Sequence, residues 1–340
     1  MWWDPADEAE LPVAREVERL LWHYRDHLAD TRYVRNGRQL VWGIGSAQDG
    51  VGRWRHPLVL ASYEALTAAG APAMTGRYTW GDLADVLGNH SGPVGELLRD
   101  WELSRDALVE IAARPLPASR VDATDVVVEV PTRTQQATVG LPCTLTASGE
   151  PAFVTVGHLV TGNKAKVEIG ATGSGGLTWV TGEVVHWSDP TTAGINGGYD
   201  YAIVRLDDNQ DTIGAITHLG TQPAPTPPHQ VMTVDVYGRT NAPVRRSGSV
   251  TAALAQLGDA TRQWLNCWQF ASQPTMQQGD SGSVALGSSG SSANRVLGHF
   301  VGMSAMVGTP PAAAGQTAAH QYIQDLRSCL AAGLDQHVTI

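Results

Sequence analysis

An alcohol, an imidazole and a carboxylate, each in a local setting suited to nucleophilic chemistry, lie far apart in this chain. Ser281 sits in Gln278-Gly279-Asp280-Ser281-Gly282-Ser283, His158 closes Thr155-Val156-Gly157-His158, and Asp200 opens Asp200-Tyr201-Ala202-Ile203-Val204. A serine hydroxyl is a poor nucleophile at neutral pH, so it needs a positioned imidazole base and a carboxylate that orients that base. The glycines around Ser281 let the backbone turn tightly and aim its amide hydrogens at one point, which is what stabilising a tetrahedral oxyanion requires. The amides of Gly279 and Ser281 are the expected donors. Each segment also has a plainer reading. Gly-Asp-Ser-Gly is an ordinary turn composition, a lone histidine is usually structural, and Asp200, after Asn196-Gly197-Gly198, could equally end a turn.

The order of the three groups is more restrictive than any one of them. It runs His, Asp, Ser, whereas subtilisin-type enzymes run Asp, His, Ser and α/β-hydrolases run Ser, acid, His. A Gly-x-Ser-x-Gly elbow is further disfavoured because it would need glycine at position 283, which is serine. With these motifs in view, residues from about 121 to 340 resemble the chymotrypsin-like (trypsin-fold) serine peptidases, particularly bacterial intracellular members. The family motif Thr-Ala-x-His is matched by Thr155-Val156-Gly157-His158 with valine for alanine, the acidic strand motif by Asp200-Tyr201-Ala202-Ile203, and the nucleophile loop by Gly279-Asp280-Ser281-Gly282. The resemblance implies two six-stranded antiparallel β-barrels with His158, Asp200 and Ser281 at their junction. It also implies acyl transfer without a metal or organic cofactor.

Several positions depart from the family pattern. Animal members bridge a cysteine just after the histidine to one on the preceding strand; here Cys143 would be the first of that pair, but Leu159 replaces its mate. Ser283 stands where glycine is commoner. No Ile-Val-Gly-Gly-type segment appears near the domain start, so Asp280 is left to pair with an internal group rather than a freed N-terminus. By the resemblance, Thr275, six residues before the serine, forms the floor of the substrate pocket. It is uncharged, which argues against an Arg or Lys preference. The later segment Gly298-His299-Phe300-Val301-Gly302-Met303 resembles the substrate-pairing strand, placing Val301, Gly302 and Met303 beside the substrate backbone. Either His299 or Phe300 would face the pocket; an apolar or small substrate residue is the first expectation and an acidic one the second.

Short β-branched runs separated by turn residues, from Val126 to Phe270, predict the antiparallel strands that would hold these groups. A closing helix is expected over residues 316–332, where Tyr322, Ile323, Leu326 and Leu330 keep helical spacing. The first third reads differently. Val13, Val17, Leu20, Leu21, Tyr24 and Leu28 form one apolar stripe, and helices are also expected over residues 57–69, 80–87 and 94–113. Prolines at 115 and 117 place a boundary between an α-helical domain, 1–115, and the mainly β domain, 121–340. Residues 80–98 loosely match a helix-turn-helix, but acidic residues line the segment.

A net charge of -10 gives no broad positive field for phosphate backbones or an anionic membrane surface, which argues against nucleic acid as a partner. No apolar window approaches the roughly 20 residues of a membrane span. The acidic start lacks a secretory pattern, and three cysteines in 340 residues do not form a disulfide scaffold, so a cytoplasmic location is expected. The expected partner is a protein or peptide substrate, with residues 1–115 gating activity or recruiting another protein. The competing reading is a non-catalytic binding protein that keeps the peptidase fold.

Overall fold

The computed structural model describes residues 10–27, 34–35, 38–49, 53–68, 74–88, 102–112, 115–116, 126–130, 136–173, 176–190, 198–207, 222–223, 233–237, 245–258, 262–273, 275–277, 279–288, 293, 295–305 and 318–340. Helix α1 (Leu11–His27) is followed by the paired β1 (Val34–Arg35) and β2 (Arg38–Gln39), then β3 (Val41–Gln48), β4 (Trp54–Ser62) and α2 (Tyr63–Ala68). Next come β5 (Gly76–Thr79), α3 (Trp80–Gly88), β6 (Leu108–Ala112) and the short β7 (Pro115–Leu116). The stripe expected on α1 is present: Val13, Val17, Leu20 and Tyr24 are all buried in one core cluster with Trp54 and Val59 of β4. Helix α3 starts on a local capping pair, in which Asp82 N–H donates to Thr79 Oγ1 while that hydroxyl donates to the Asp82 carboxylate.

A first closed sheet holds β8 (Val126–Val130), β9 (Gln136–Thr138), β10 (Leu141–Leu145), β11 (Pro151–Thr155), β12 (Lys166–Gly173), β13 (Gly176–Ser188) and β14 (Tyr201–Leu206). Pairing runs β10-β11-β14-β13-β12-β8-β9. Only Val139 and Gly140 separate β9 from β10, so these are two ends of one interrupted strand, and the sheet closes as a six-stranded barrel.

The second barrel follows β15 (Gln222–Pro223). Its strands are β16 (Thr233–Tyr237), β17 (Arg245–Gly258), β18 (Gln263–Gln273), β19 (Val284–Gly287), β20 (Arg295–Ala305) and β21 (Ala318–Asp325). Pairing runs β16-β19-β20-β21-β18-β17, and a further β16–β17 pairing closes the ring. Helix α4 (Leu326–Ala331) and β22 (Val338–Thr339) end the chain, β22 adding to β10 of the first barrel. The Asp325 carboxylate caps α4 by accepting from Ser328 N–H.

Three element readings differ from expectation. Of the expected 57–69 helix, residues 57–62 belong to strand β4 and only 63–68 form helix α2; residues 108–112 of the expected 94–113 helix form β6; and 318–325, read as helix, form β21. Residues 94–101 lie outside the described residues, including the second half of the helix-turn-helix pattern. The physical cause is burial on both faces. Leu58, Val59, Leu60 and Ala61 are all 0% exposed, and a run covered on both sides shows no alternation by which a strand could be told from a helix.

These N-terminal strands extend the second barrel. Residues 252–257 of β17 run past the ring and pair antiparallel with β3, which pairs with β4; β4 pairs parallel with β6, and β6 antiparallel with β5. Tyr24 on α1 donates to the Gly258 carbonyl at 3.2 Å. A buried polar knot fixes the same junction. Glu110 on β6 accepts from Arg77 Nε at 2.9 Å and from Gln269 Nε2 at 3.1 Å, and lies 2.7 Å from His320 Nε2.

Burial alone would raise the Glu110 carboxyl, but the hydrogen bond and charge of His320 and the Arg77 guanidinium outweigh it and hold it down, from an ordinary 4.5 to about 2. A carboxyl depressed in the folded state stabilises above its unfolded value, and that contribution disappears as pH falls through the folded one. Glu110→Gln is therefore expected to cost about 2–3 kcal/mol at neutral pH, in line with the size of the shift. The gap to the parent should close between pH 4.5 and 2, as denaturant unfolding at stepped pH would record.

Candidate active site

His158 leaves the first barrel directly after β11, in a single 3-10 turn, Gly157–Leu159. Glycine is required before it, because a Cβ at position 157 would lie 1.9 Å from the Ser188 carbonyl oxygen. Asp200 lies just before β14, the neighbour of β11, so one rigid sheet carries both residues. Their side chains meet: His158 Nδ1 is 2.6 Å from Asp200 Oδ2, and the His158 backbone N–H donates to Asp200 Oδ1 at 2.8 Å.

Asp200 has no exposed surface, and a buried charge requires compensating partners. Trp264 Nε1 of β18 donates to Oδ2 at 2.8 Å. The Asp200 backbone is held as firmly: its N–H donates to Gln324 Oε1 and its carbonyl accepts from His299 Nε2, both at 2.8 Å. Gln324 is anchored in turn by donating to the Gly198 and Leu265 carbonyls. Burial pushes the Asp200 carboxyl up, but the charge and hydrogen bond of His158, with the Trp264 and His158 N–H donors, outweigh it and bring it down to about 2. The group is an anion at neutral pH, aligned on the imidazole Nδ1. With Nδ1 engaged on Asp200, Nε2 is the other ring nitrogen of His158.

Ser281 lies in the tight loop before β19, and the second barrel seats this loop on the first. Thr138 N–H donates to the Ser281 carbonyl at 2.7 Å, Thr138 Oγ1 to the Gly279 carbonyl at 3.0 Å, and Thr155 Oγ1 to the Thr138 carbonyl at 3.0 Å. Thr155 is three residues before His158. On the other side, Gly282 N–H donates to the Phe300 carbonyl and Phe300 N–H to the Ser283 carbonyl, both at 2.8 Å. Gly282 has φ of +89°, and a Cβ there would stand 2.5 Å from the Thr138 carbonyl and 2.7 Å from Thr155 Oγ1. Ser283, in place of the commoner glycine, closes the turn by donating its hydroxyl to the Asp280 carbonyl.

The internal partner of Asp280 is Arg246 on β17. The guanidinium Nη1 donates to Asp280 Oδ2 at 2.7 Å with both side chains fully buried, and Gln277 N–H donates to the same oxygen. Arg246, Trp264, Gln324 and Thr138 carry no signal as site residues in the sequence, whereas Thr155 stands in the His158 motif. His299 is buried, burial lowers its basicity, and its Nε2 hydrogen serves the Asp200 carbonyl. Phe300 and Val301 are 0% exposed, with Phe300 edge-to-face on Phe270. Gly302 is also buried, while Thr275 and Met303 are half-buried. Cys143, Cys267 and Cys329 are free and buried. Gln278 lies outside the described residues. Among the described residues no cluster of three or more metal-ligating side chains occurs, and no helix is long and apolar enough to cross a membrane.

No protein-family profile and no curated protein matches the chain. Among solved structures it is similar to the Nocardiopsis protease NAPase, with 17% identity over 61% of this chain and 93% of that one at a TM-score of 0.40. Similar figures hold for the Cellulomonas bogoriensis chymotrypsin, with 18% identity, 65% and 98% coverage and a TM-score of 0.40. A glutamic acid-specific serine protease matches at 20% identity, 64% and 98% coverage and a TM-score of 0.39.

Removing one member of a buried ion pair leaves the other charge desolvated. Arg246→Met is expected to lose about 3–5 kcal/mol in denaturant unfolding, whereas the double variant with Asp280→Asn should recover a large part of it.

Proposed function

We propose that this chain is a serine endopeptidase of the chymotrypsin-like type, with residues 121–340 as the catalytic part and 1–115 as an accessory unit that gates it or recruits partners. One observation carries the reading: a fully buried Asp200 carboxylate lies 2.6 Å from His158 Nδ1 and holds the imidazole in the tautomer a general base needs. An ordinary structural histidine does not require a desolvated anion supplied with donors from two barrels.

In this mechanism His158 Nε2 takes the proton of Ser281 as its Oγ adds to a peptide carbonyl carbon, and Asp200 stabilises the imidazolium that forms. The amides of Gly279 and Ser281 donate to the oxyanion. The intermediate expels the amine, which receives the proton from His158, and water then releases the acyl group with the same roles reversed. The substrate residue before the cut is small or apolar, a reading supported by the lack of charge on Thr275, Phe300, Val301, Gly302 and Met303. The three buried free thiols suit a reducing compartment such as the cytoplasm.

A fluorophosphonate probe should label Ser281 in the folded chain and leave Ser281→Ala unlabelled. Absence of labelling in the folded parent would favour the non-catalytic binding reading instead. Asp200→Asn should reduce turnover by on the order of 10⁴-fold, the loss that a wrong imidazole tautomer produces in such a triad. Trp264→Phe removes one donor to a buried carboxylate, worth about 1.5 kcal/mol, and should lower kcat roughly tenfold with little change in KM. An equal change in KM would instead mark Trp264 as part of the substrate surface.

A further inference from the structure

At two adjacent residues, strand β20 holds both the nucleophile loop and the acid. The backbone of Phe300 holds the loop: Gly282 N–H donates to its carbonyl and its N–H donates to the Ser283 carbonyl, both at 2.8 Å. The side chain of His299 holds the acid. A carbonyl oxygen only accepts, so His299 Nε2, 2.8 Å from the Asp200 carbonyl, must carry the proton that joins them. Successive side chains of a strand point to opposite faces. Phe300 accordingly packs into the core of the second barrel with Phe270 and Ile323, and His299 points the other way, to Asp200.

The strands on either side of His299 lead to the same two groups. On one side its partner is Val284, the first residue of β19 after the Ser281 loop, and on the other it is Gln324 of β21. Gln324 accepts from the Asp200 N–H at 2.8 Å, so the two side chains that clamp the Asp200 backbone are neighbours across one ladder. That ladder has little play, because a Cβ on Gly298 would lie 1.8 Å from the Gln324 carbonyl oxygen. Burial lowers the basicity of His299, so the ring is neutral at pH 7 with its proton on Nε2. Burying an imidazole costs free energy unless it is hydrogen-bonded, and a side chain that only filled this space would be apolar.

Building on the peptidase reading above, we propose that His299 is a positioning residue for the reaction: by fixing the Asp200 carbonyl to the strand that seats the Ser281 loop, it sets the acid, and through the acid the His158 imidazole, in register with the nucleophile. His299 touches no reacting atom. It acts through Asp200, whose carboxylate lies 2.6 Å from His158 Nδ1. Without the donor the Asp200 peptide is free to turn and carries the carboxylate off the line to Nδ1. A misplacement of about 1 Å in such a group costs on the order of 100-fold in rate.

The test compares, in the full chain, His299→Phe, which fills the space without a donor, and His299→Gln, whose amide nitrogen reaches about as far as Nε2. Thermal unfolding establishes that each is folded, active sites are counted by fluorophosphonate labelling taken to completion, and turnover is measured on an alanine p-nitrophenyl ester. Per labelled site, His299→Phe should lose roughly 10- to 100-fold in kcat with KM within about twofold of the parent. The downfield Nδ1 proton signal of His158 should broaden or move in the same variant, and His299→Gln should recover most of both. A folded His299→Phe that turns over at the parent's rate, or a His299→Gln as slow as His299→Phe, overturns the positioning role and leaves the peptidase reading standing. If His299→Phe does not fold, His299→Asn, whose amide stops short of the Asp200 carbonyl, replaces it under the same criteria. A folded parent that neither labels nor turns over the ester removes the peptidase reading and this role with it.

Discussion

The structure depends on keeping one carboxylate charged in a place that water does not reach. Asp200 is completely buried, and an isolated anion there would cost several kcal/mol unless neutralised or surrounded by donors. The donors come from both barrels: the ring and backbone N–H of His158 from the first, and the Trp264 indole from the second. Gln324 and His299, also in the second barrel, bind the backbone of the same residue. The barrels must therefore meet at Asp200 and in one orientation, because a small rotation would leave a desolvated charge without partners. The geometry that solves this solvation problem is also the geometry that orients an imidazole base.

A second buried charge does the same for the loop that carries Ser281. Asp280, next to Ser281, is joined to Arg246 at the start of β17, and the loop between them and β19 is stitched to Thr138 and, through it, to Thr155. Thr155 is the last residue of β11, the strand that precedes the turn carrying His158. The serine loop thus reads its position from the second barrel through an ion pair and from the first through threonine hydroxyls. Gly282, with its left-handed backbone and no room for a Cβ, is where the two surfaces come closest. The contacts that stabilise this loop are thus the same ones that position Ser281.

What could be read from sequence were groups whose local context is informative. Ser281 stands in a glycine turn, His158 at a strand exit and Asp200 at a strand entrance, and the alternation of β8 to β18 follows from short β-branched runs. The groups that complete the site have no such context. Trp264, Gln324 and Arg246 lie in ordinary strand sequence, and their importance comes from which strand lies opposite, a property of closure and register. The N-terminal strands were hidden for another reason: Leu58 to Ala61 are packed on both faces, and Val109 to Ala112 are all buried, so neither run shows a period of two. Residues 318–332 join a strand to a helix at Asp325, and the mixed spacing of the two resembles one helix.

The continuity of the sheet changes what the N-terminal region can do. Units joined by a flexible connection move relative to one another by default, and a regulatory unit of that kind acts by arriving and leaving. Here β3 is hydrogen-bonded to β17, and Glu110 on β6 is tied to His320 on β21. The end of β6 is thereby fixed close to the second barrel, and only Ala113 and Arg114 intervene in sequence before β7, which pairs with the edge of β20. Moving the accessory unit as a body would break a β ladder and expose buried charge, whereas displacing β7 breaks only two residue pairings. Among the described contacts of the N-terminal region with the second barrel, the pairing of β7 is therefore the one given up with least loss.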